Sequence, residues 1–176
     1  MSQPAILDSH DLWQKVLATR FTMLTAHAPE GRLDSRPMTI QSLEDPGTLW
    51  FFAADGSTVA EQVDASPDVN VAVANPDDDL YVSIVGRAAV VRDRAKAAAL
   101  WNAAAKAWFP GGVDDPRLVL IRVDVSHADY WNTEESKMVQ FFRMAQAALT
   151  GQPPTDLGEH GRIRVADRAS DPNAER

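Results

Sequence analysis

The sequence predicts an α+β barrel of about six strands with two or three helices. Three observations point there. Short runs of β-branched and aromatic residues recur between breaks rich in Pro, Gly and Asp. Strands and helices do not alternate strictly, as a parallel βαβ sheet would require. Several of the breaks are short enough to be hairpin turns. With 176 residues, the chain fits one domain with short appendages. Residues 1–150 would form that domain, and the polar segment 151–176 a loosely held, partly flexible tail.

The elements follow in order. Asp8 or Ser9 can cap an opening amphipathic helix whose Leu12, Trp13, Val16 and Leu17 repeat at helical spacing. Phe21–Ala28 reads as a strand, Pro29-Glu30-Gly31 as a turn, and Ser35–Ser42 as the second strand. Asp45-Pro46-Gly47 breaks the chain before Thr48–Ala54, where Leu49, Trp50, Phe51 and Phe52 favour a largely buried strand. A short helix begins near Ser57 or Thr58. Thr58 and Glu61 have capping-box spacing, and Val59 and Val63 share a face.

Val69–Ala74 is the next strand, ended by Asn75-Pro76 and three aspartates. In Leu80–Val91, residues Leu80, Val82, Ile84, Ala88 and Val90 alternate onto one face, and Gly86 suggests a bulge of the kind a closing barrel uses. Arg94–Trp108 is the clearest helical pattern, with Trp101, Ala104, Ala105 and Trp108 as a stripe, stopped by Pro110-Gly111-Gly112. Leu118–Val125 reads as a buried strand. Thr133 opens a last helical pattern that carries Met138, Phe141, Phe142, Ala145 and Leu149.

Composition narrows the function classes. Apolar residues make up 45% and charged residues 24%, as in an ordinary globular protein. A net charge of −8 opposes binding to nucleic acid or an anionic membrane. No stretch approaches the roughly 20 apolar residues of a membrane span, and no signal peptide is evident. A cytoplasmic protein is therefore expected. With no cysteine, disulfides, thiolate nucleophiles and cysteine metal sites are excluded.

The four histidines have no metal-ligand spacing. His127 and Asp129 would share a strand face at a solvated strand end, and the acidic clusters at 77–79 and 114–115 read as turns. No metal is expected. The Gly-x-Ser-x-Gly elbow, the P-loop and the Gly-x-Gly-x-x-Gly fingerprint are absent.

A subtler set remains. Arg36-Pro37-Met38-Thr39 puts a permanent cation and a hydroxyl on the second strand. Asp55-Gly56-Ser57-Thr58 leads into a helix N-terminus, where free N–H groups and a partial positive charge suit a phosphate. Aromatic residues precede it. A planar ligand with a phosphate tail would use all three features. Each also has a purely structural reading: Arg36 as a surface ion pair, Ser57 or Thr58 as a plain N-cap, and Trp-Phe-Pro-Gly-Gly as a helix stop.

The order of several segments is informative. Ser-Arg-Pro-Met (35–38), Leu-Trp-Phe-Phe (49–52), Ser-Thr (57–58), Tyr-Val-Ser-Ile-Val-Gly-Arg-Ala (81–88), Lys-Ala-Trp-Phe-Pro-Gly-Gly (106–112) and Ala-Asp-Tyr-Trp (128–131) occur in succession. They are followed by Phe141–Gly151 and Leu-Gly-Glu (157–159). Together they resemble the general stress protein 26 family, a branch of the pyridoxamine 5'-phosphate oxidase-like split barrels, over nearly the whole chain.

The resemblance implies a six-stranded antiparallel split β-barrel with flanking helices, a homodimer with FMN between subunits. By that resemblance, Arg36, Pro37, Met38 and Thr39 would border the flavin and its ribityl phosphate. Phe52 and Ala53 would lie along it, and Ser57 and Thr58 would hold the phosphate. Tyr81 would stand near the ring edge, with Trp108 and Trp131 supplied by the partner chain.

One residue departs from the family pattern. Relatives often carry Lys or Arg two residues after the loop serine, and this chain has Val59. Arg36 and Arg87 would then have to supply the charge, and FAD or a deazaflavin becomes an alternative to FMN. The implied function is a flavin-binding stress-response protein acting as an oxidoreductase of unknown substrate, with NAD(P)H as hydride donor. The alternatives are a non-catalytic flavin carrier or sensor, and a dimer that has lost its cofactor. No counterpart of the basic and tyrosine set for a vitamin B6 phosphate is found, so B6 oxidation is not expected.

Overall fold

The structure, a computed structural model, describes residues 9–44, 47–132 and 159–164. Helix α1 (Ser9–Thr19) leads into strand β1 (Phe21–His27). Strand β2 (Leu33–Glu44) returns antiparallel to β1 through a tight turn at Pro29–Gly31, where Glu30 and Gly31 both adopt positive φ. Strand β3 (Thr48–Ala54) pairs with β2, helix α2 (Thr58–Ala65) crosses over, and strand β4 (Asp68–Asn75) pairs with β1. Strand β5 (Leu80–Val91), helix α3 (Arg94–Leu100) and the long strand β6 (Leu118–Asn132) follow. Strand β7 (Glu159–Arg164) is last among the described residues.

Pairing runs β3-β2-β1-β4-β5-β6, and β6 also pairs with β3, so six antiparallel strands close a barrel. This is the split barrel expected from the sequence. β7 adds to the free stretch of β6 beyond the closure. A strand therefore lies inside the segment read as a loose tail. Its packing explains this: Gly161 sits against the ring of the buried Tyr130, so close that any Cβ would stand 2.5 Å from that ring.

The alternation in β5 turns Leu80, Val82, Ile84 and Ala88 into the barrel. They meet Leu24, Ile40, Leu49, Phe51, Val71 and Ile121 there, with Leu12 and Val16 of α1 plugging one side. The pairing of β5 with β6 shifts register between Val85 and Gly86, the bulge anticipated from the glycine. Closing a barrel needs such local bends.

A second, smaller core lies outside the barrel wall. Trp50, Leu118 and Leu120 pack with Ala97 of α3 and with Phe109. Lys96 pins α3 to the wall, with its ammonium 4.9 Å from the Trp50 ring centroid and bonded to Glu44. That bond lowers the Glu44 carboxyl from its ordinary value.

The helix expected over Arg94–Trp108 stops at Leu100. Trp101 is extended and lays its ring on Phe52, 5.9 Å between centroids. Asn102 then uses its own side chain to accept from the Ala105 amide. Asparagine competes in this way with helix propagation, and 105–107 form only a short 3₁₀ turn. The capping box expected from Thr58 and Glu61 is also not formed: Ser57 is the N-cap of α2 and Thr58 its first helical residue. The helical pattern from Thr133 and the alternative cap Asp8 lie outside the described residues. No helix among the described residues is long and apolar enough to cross a membrane.

Candidate functional site

Alternation in β2 and β3 decides which side chains are free to meet a ligand. In β3, Leu49, Phe51 and Ala53 belong to the barrel core, while Trp50, Phe52 and Ala54 face outward. In β2, Met38 and Ile40 pack inward, leaving Pro37, Thr39 and Gln41 on the outer surface. The irregular segment 102–109 stands over this surface. Phe109 anchors it in the outer core, edge-on to Phe52 at 6.4 Å, and Asn102 Nδ2 donates to Gln41 Oε1 at 2.6 Å.

Between wall and segment lies a slot of about 300 Å³, at the lower end of the range for small-molecule sites. Pro37, Met38, Thr39, Phe52, Ala53 and Trp108, all expected at the site, line it together. Trp108 belongs to the same chain's slot and forms its rim, 80% exposed.

Arg36, Ser57 and Thr58 sit beside the slot rather than in its lining. The Ala54 carbonyl accepts from the Ser57 amide at 3.1 Å, so the turn before α2 continues directly from the slot wall. Arg36 does not make the surface ion pair that was one reading of it. Its Nη2 donates to Oε1 of the buried Gln62 on α2, and Gln62 Nε2 donates to Asp34 Oδ2 at 2.9 Å.

Arg36 Nε and Ser57 Oγ are both shielded from solvent and have no partner among the described residues. Buried polar atoms are nearly always paired in native proteins. The orphaned hydroxyl of Ser57 at the N-cap of α2, and the orphaned Nε of Arg36, which reaches Gln62 further along the same helix, suit an external anionic group with acceptor oxygens. A third orphan, Arg122 Nε, is on β6 outside the slot lining.

Tyr81 and Trp131 are not brought to the slot. They are cross-strand partners on the outer face of β5 and β6, 44% and 46% exposed. Arg87 is off the slot too, with its side chain 70% exposed and 3.9 Å from Asp68. Asp129 pairs with Arg162 of β7 at 2.6 Å, so the His127–Asp129 strand end is tied down. Among the described residues no group of three His, Asp or Glu could hold a metal.

Eight of the described lining residues were not foreseen, four of them polar: Arg20, Gln41, Asn102 and Arg117. Gln41 was detectable, since it stands two residues beyond Thr39 on the same strand face. The other three lie between elements, where periodicity carries no signal. Arg20 joins α1 to β1 with a positive φ of 58°, and Arg117 immediately precedes β6. Among the described residues these two arginines are the only ionisable ones lining the slot.

Comparison with known proteins agrees with this architecture. General stress protein 26 from Jannaschia sp. CCS1 superposes with a TM-score of 0.68 at 30% identity, covering 89% of this chain and 97% of that one. The general stress FMN/FAD binding protein of Xanthomonas citri is 31% identical, with a TM-score of 0.62 over 73% of this chain and 93% of that one. Protein bli-3 of Neurospora crassa is 28% identical over 156 residues, 83% of this chain and 75% of the relative. The sequence profile of the pyridoxamine 5'-phosphate oxidase-like family matches residues 8–155. The chain belongs to the pyridoxamine 5'-phosphate oxidase-like family.

Proposed function

We propose that this protein binds a phosphorylated flavin, FMN in the first instance, with the ring in the slot and the phosphate at the start of α2. The observation that carries this reading is the pair of orphaned buried atoms, Ser57 Oγ and Arg36 Nε, beside an aromatic-lined slot. Phe52 and Pro37 would support the ring and the Thr39 hydroxyl would meet its polar edge, while Ser57, Thr58 and Arg36 would receive the phosphate. The name of the Xanthomonas relative, an FMN/FAD binding protein, supports the same ligand class.

Bound flavin would supply hydride or single-electron chemistry; the chain's part is to bind, orient and shield it. The chain would work as a homodimer in the cytoplasm. Phe21 and Met23 of β1 are 74% and 42% exposed, and share the barrel's outer face with Tyr81 and Trp131. Such a continuous apolar face marks an interface, and a two-fold pair is the commonest way to cover it.

An oxidoreductase accepting hydride from NAD(P)H is the leading activity. The specific observation favouring a non-catalytic carrier is that, among the described residues, the slot lining offers no carboxylate, imidazole or phenol for proton transfer.

Titration of the apoprotein with FMN, FAD and riboflavin, read by flavin fluorescence, tests the ligand. Saturable binding tighter for FMN than for riboflavin is expected; no binding of any flavin would end the proposal. Anaerobic mixing of the loaded protein with NADH or NADPH then separates enzyme from carrier by bleaching of the flavin absorbance. Light scattering at micromolar concentration should give a dimer mass, and a monomer would remove the dimer reading.

A further inference from the structure

Two residues after Ser57, in the first turn of α2, position 59 is closed to charge in this chain. Val59 is 5% exposed and packs in the barrel core with Val63. A lysine there would lose its hydration without gaining a partner. The phosphate end of the slot nevertheless has a cation, from a different part of the sequence.

Arg117 is stitched to that end by its backbone: its carbonyl accepts from the Asp55 amide at 2.7 Å, in the turn that leads to Ser57. Its side chain lines the slot beside Ala53 and Ala54. The guanidinium is held in one orientation by Asp115. Nε donates to Oδ1 at 3.1 Å and Nη2 to Oδ2 at 3.0 Å. Asp115 is itself buried and accepts from the Arg117 amide at 3.0 Å. This fork leaves Nη1, and one hydrogen of Nη2, without a partner among the described residues, on a side chain 61% exposed.

Of the other cations near this end, two are paired with carboxylates, and Arg36 has its Nη2 held while its shielded Nε has no partner among the described residues. Arg92 is paired with Asp55 at 2.6 Å, Arg94 with Asp114, and Arg36 with Gln62. Arg20 stands beyond β2 from this turn, its carbonyl accepting from Ile40 at 2.9 Å.

We propose that Arg117, oriented by Asp115, is a further cation that, together with Arg36, receives the phosphate of the bound flavin. Asp115 is a positioning residue: it fixes the planar fork so that the remaining donors point at one place. Its own negative charge largely offsets that of Arg117, so the contribution is directional hydrogen bonding more than net charge. This inference rests on the proposed flavin reading.

The test is a set of dissociation constants for FMN and riboflavin, by flavin fluorescence, on the full chain and three variants. Arg117→Gln should weaken FMN about 10- to 100-fold, the range for hydrogen bonds to a charged group, and leave riboflavin within about twofold. Asp115→Asn should reduce the FMN preference by a smaller factor. Arg87→Gln, off the slot, should change neither ligand.

Equal loss of both ligands in Arg117→Gln, or unchanged FMN binding, would overturn the role of Arg117 while the flavin reading stands. A parent protein that binds no flavin overturns both. If Arg117→Gln does not fold, Arg117→Lys decides: the charge stays but the fork is lost, so the FMN preference must still fall.

Discussion

Gly86→Ala tests whether the barrel closes where the structure says. A methyl group at Gly86 would stand 2.5 Å from the carbonyl oxygen of Asp124 and 3.0 Å from Val123 Cγ1. Ordinary contact begins at 3.4 Å, so roughly 0.9 Å must be recovered by movement. The oxygen belongs to backbone, and Asp124 pairs with Thr48 on one side and Arg87 on the other. Strand β6 cannot retreat from β5 without straining its seam with β3.

Forced backbone shifts of this kind cost about 1–3 kcal/mol, and the absence of a flexible side chain to give way puts the expected loss in the upper half, about 2–3. With a urea slope of about 2 kcal/mol/M, the unfolding midpoint should fall by about 1–1.5 M. Both proteins must be compared at one concentration, because the stability of the proposed dimer would depend on it. A shift under about 0.3 M with an unchanged slope would refute the close approach at the bulge.

Three further outcomes follow from the same coordinates. Gly161→Ala pushes a methyl into the Tyr130 ring at 2.5 Å; β7 should detach while the barrel survives, seen as faster amide exchange confined to 159–164 and the facing part of β6, and unchanged exchange there would refute the packing. Asp115 is held at about 2 by the Arg117 guanidinium and then its amide. A lowered carboxyl stabilises the fold above the unfolded value near 4. The stability gap between the parent and Asp115→Asn should therefore be full at pH 6 and narrow steadily as pH falls from about 4 towards 2; a gap independent of pH would contradict the pair. Trp108→Ala removes a rim side chain that is 80% exposed, so stability should change by less than about 0.5 kcal/mol, while flavin affinity should drop about tenfold or more through lost stacking area; a large stability loss would mean that the ring is buried in a partner contact.

The sequence by itself marked six of the seven described strands, although β6 runs on to Asn132, well past the end expected at Val125. Alternation in Leu80–Val91 marks that strand at its observed ends, and the Leu49–Phe52 run marks the wall that carries the site. Period-two patterning is a local property, visible in one chain read once. Six of the fourteen described slot residues were expected, through the family resemblance rather than through periodicity: Pro37, Met38, Thr39, Phe52, Ala53 and Trp108.

Tertiary structure decided the rest. The helical pattern of 94–108 was overridden at Trp101, because docking on Phe52 and the competing bonds of Asn102 outweigh alanine's propensity. β7 is short and glycine-bearing, and exists because β6 offers it an edge and Tyr130 a ring to cover. Arg20 and Arg117 sit 97 positions apart in the sequence, in connecting segments with no period of their own. They share one slot only because β1 and β6 start on its margins when the barrel closes. Charge brought together by chain closure leaves no mark in local pattern, which is why Arg20 and Arg117, unlike Arg36, could be seen only once the fold was in hand.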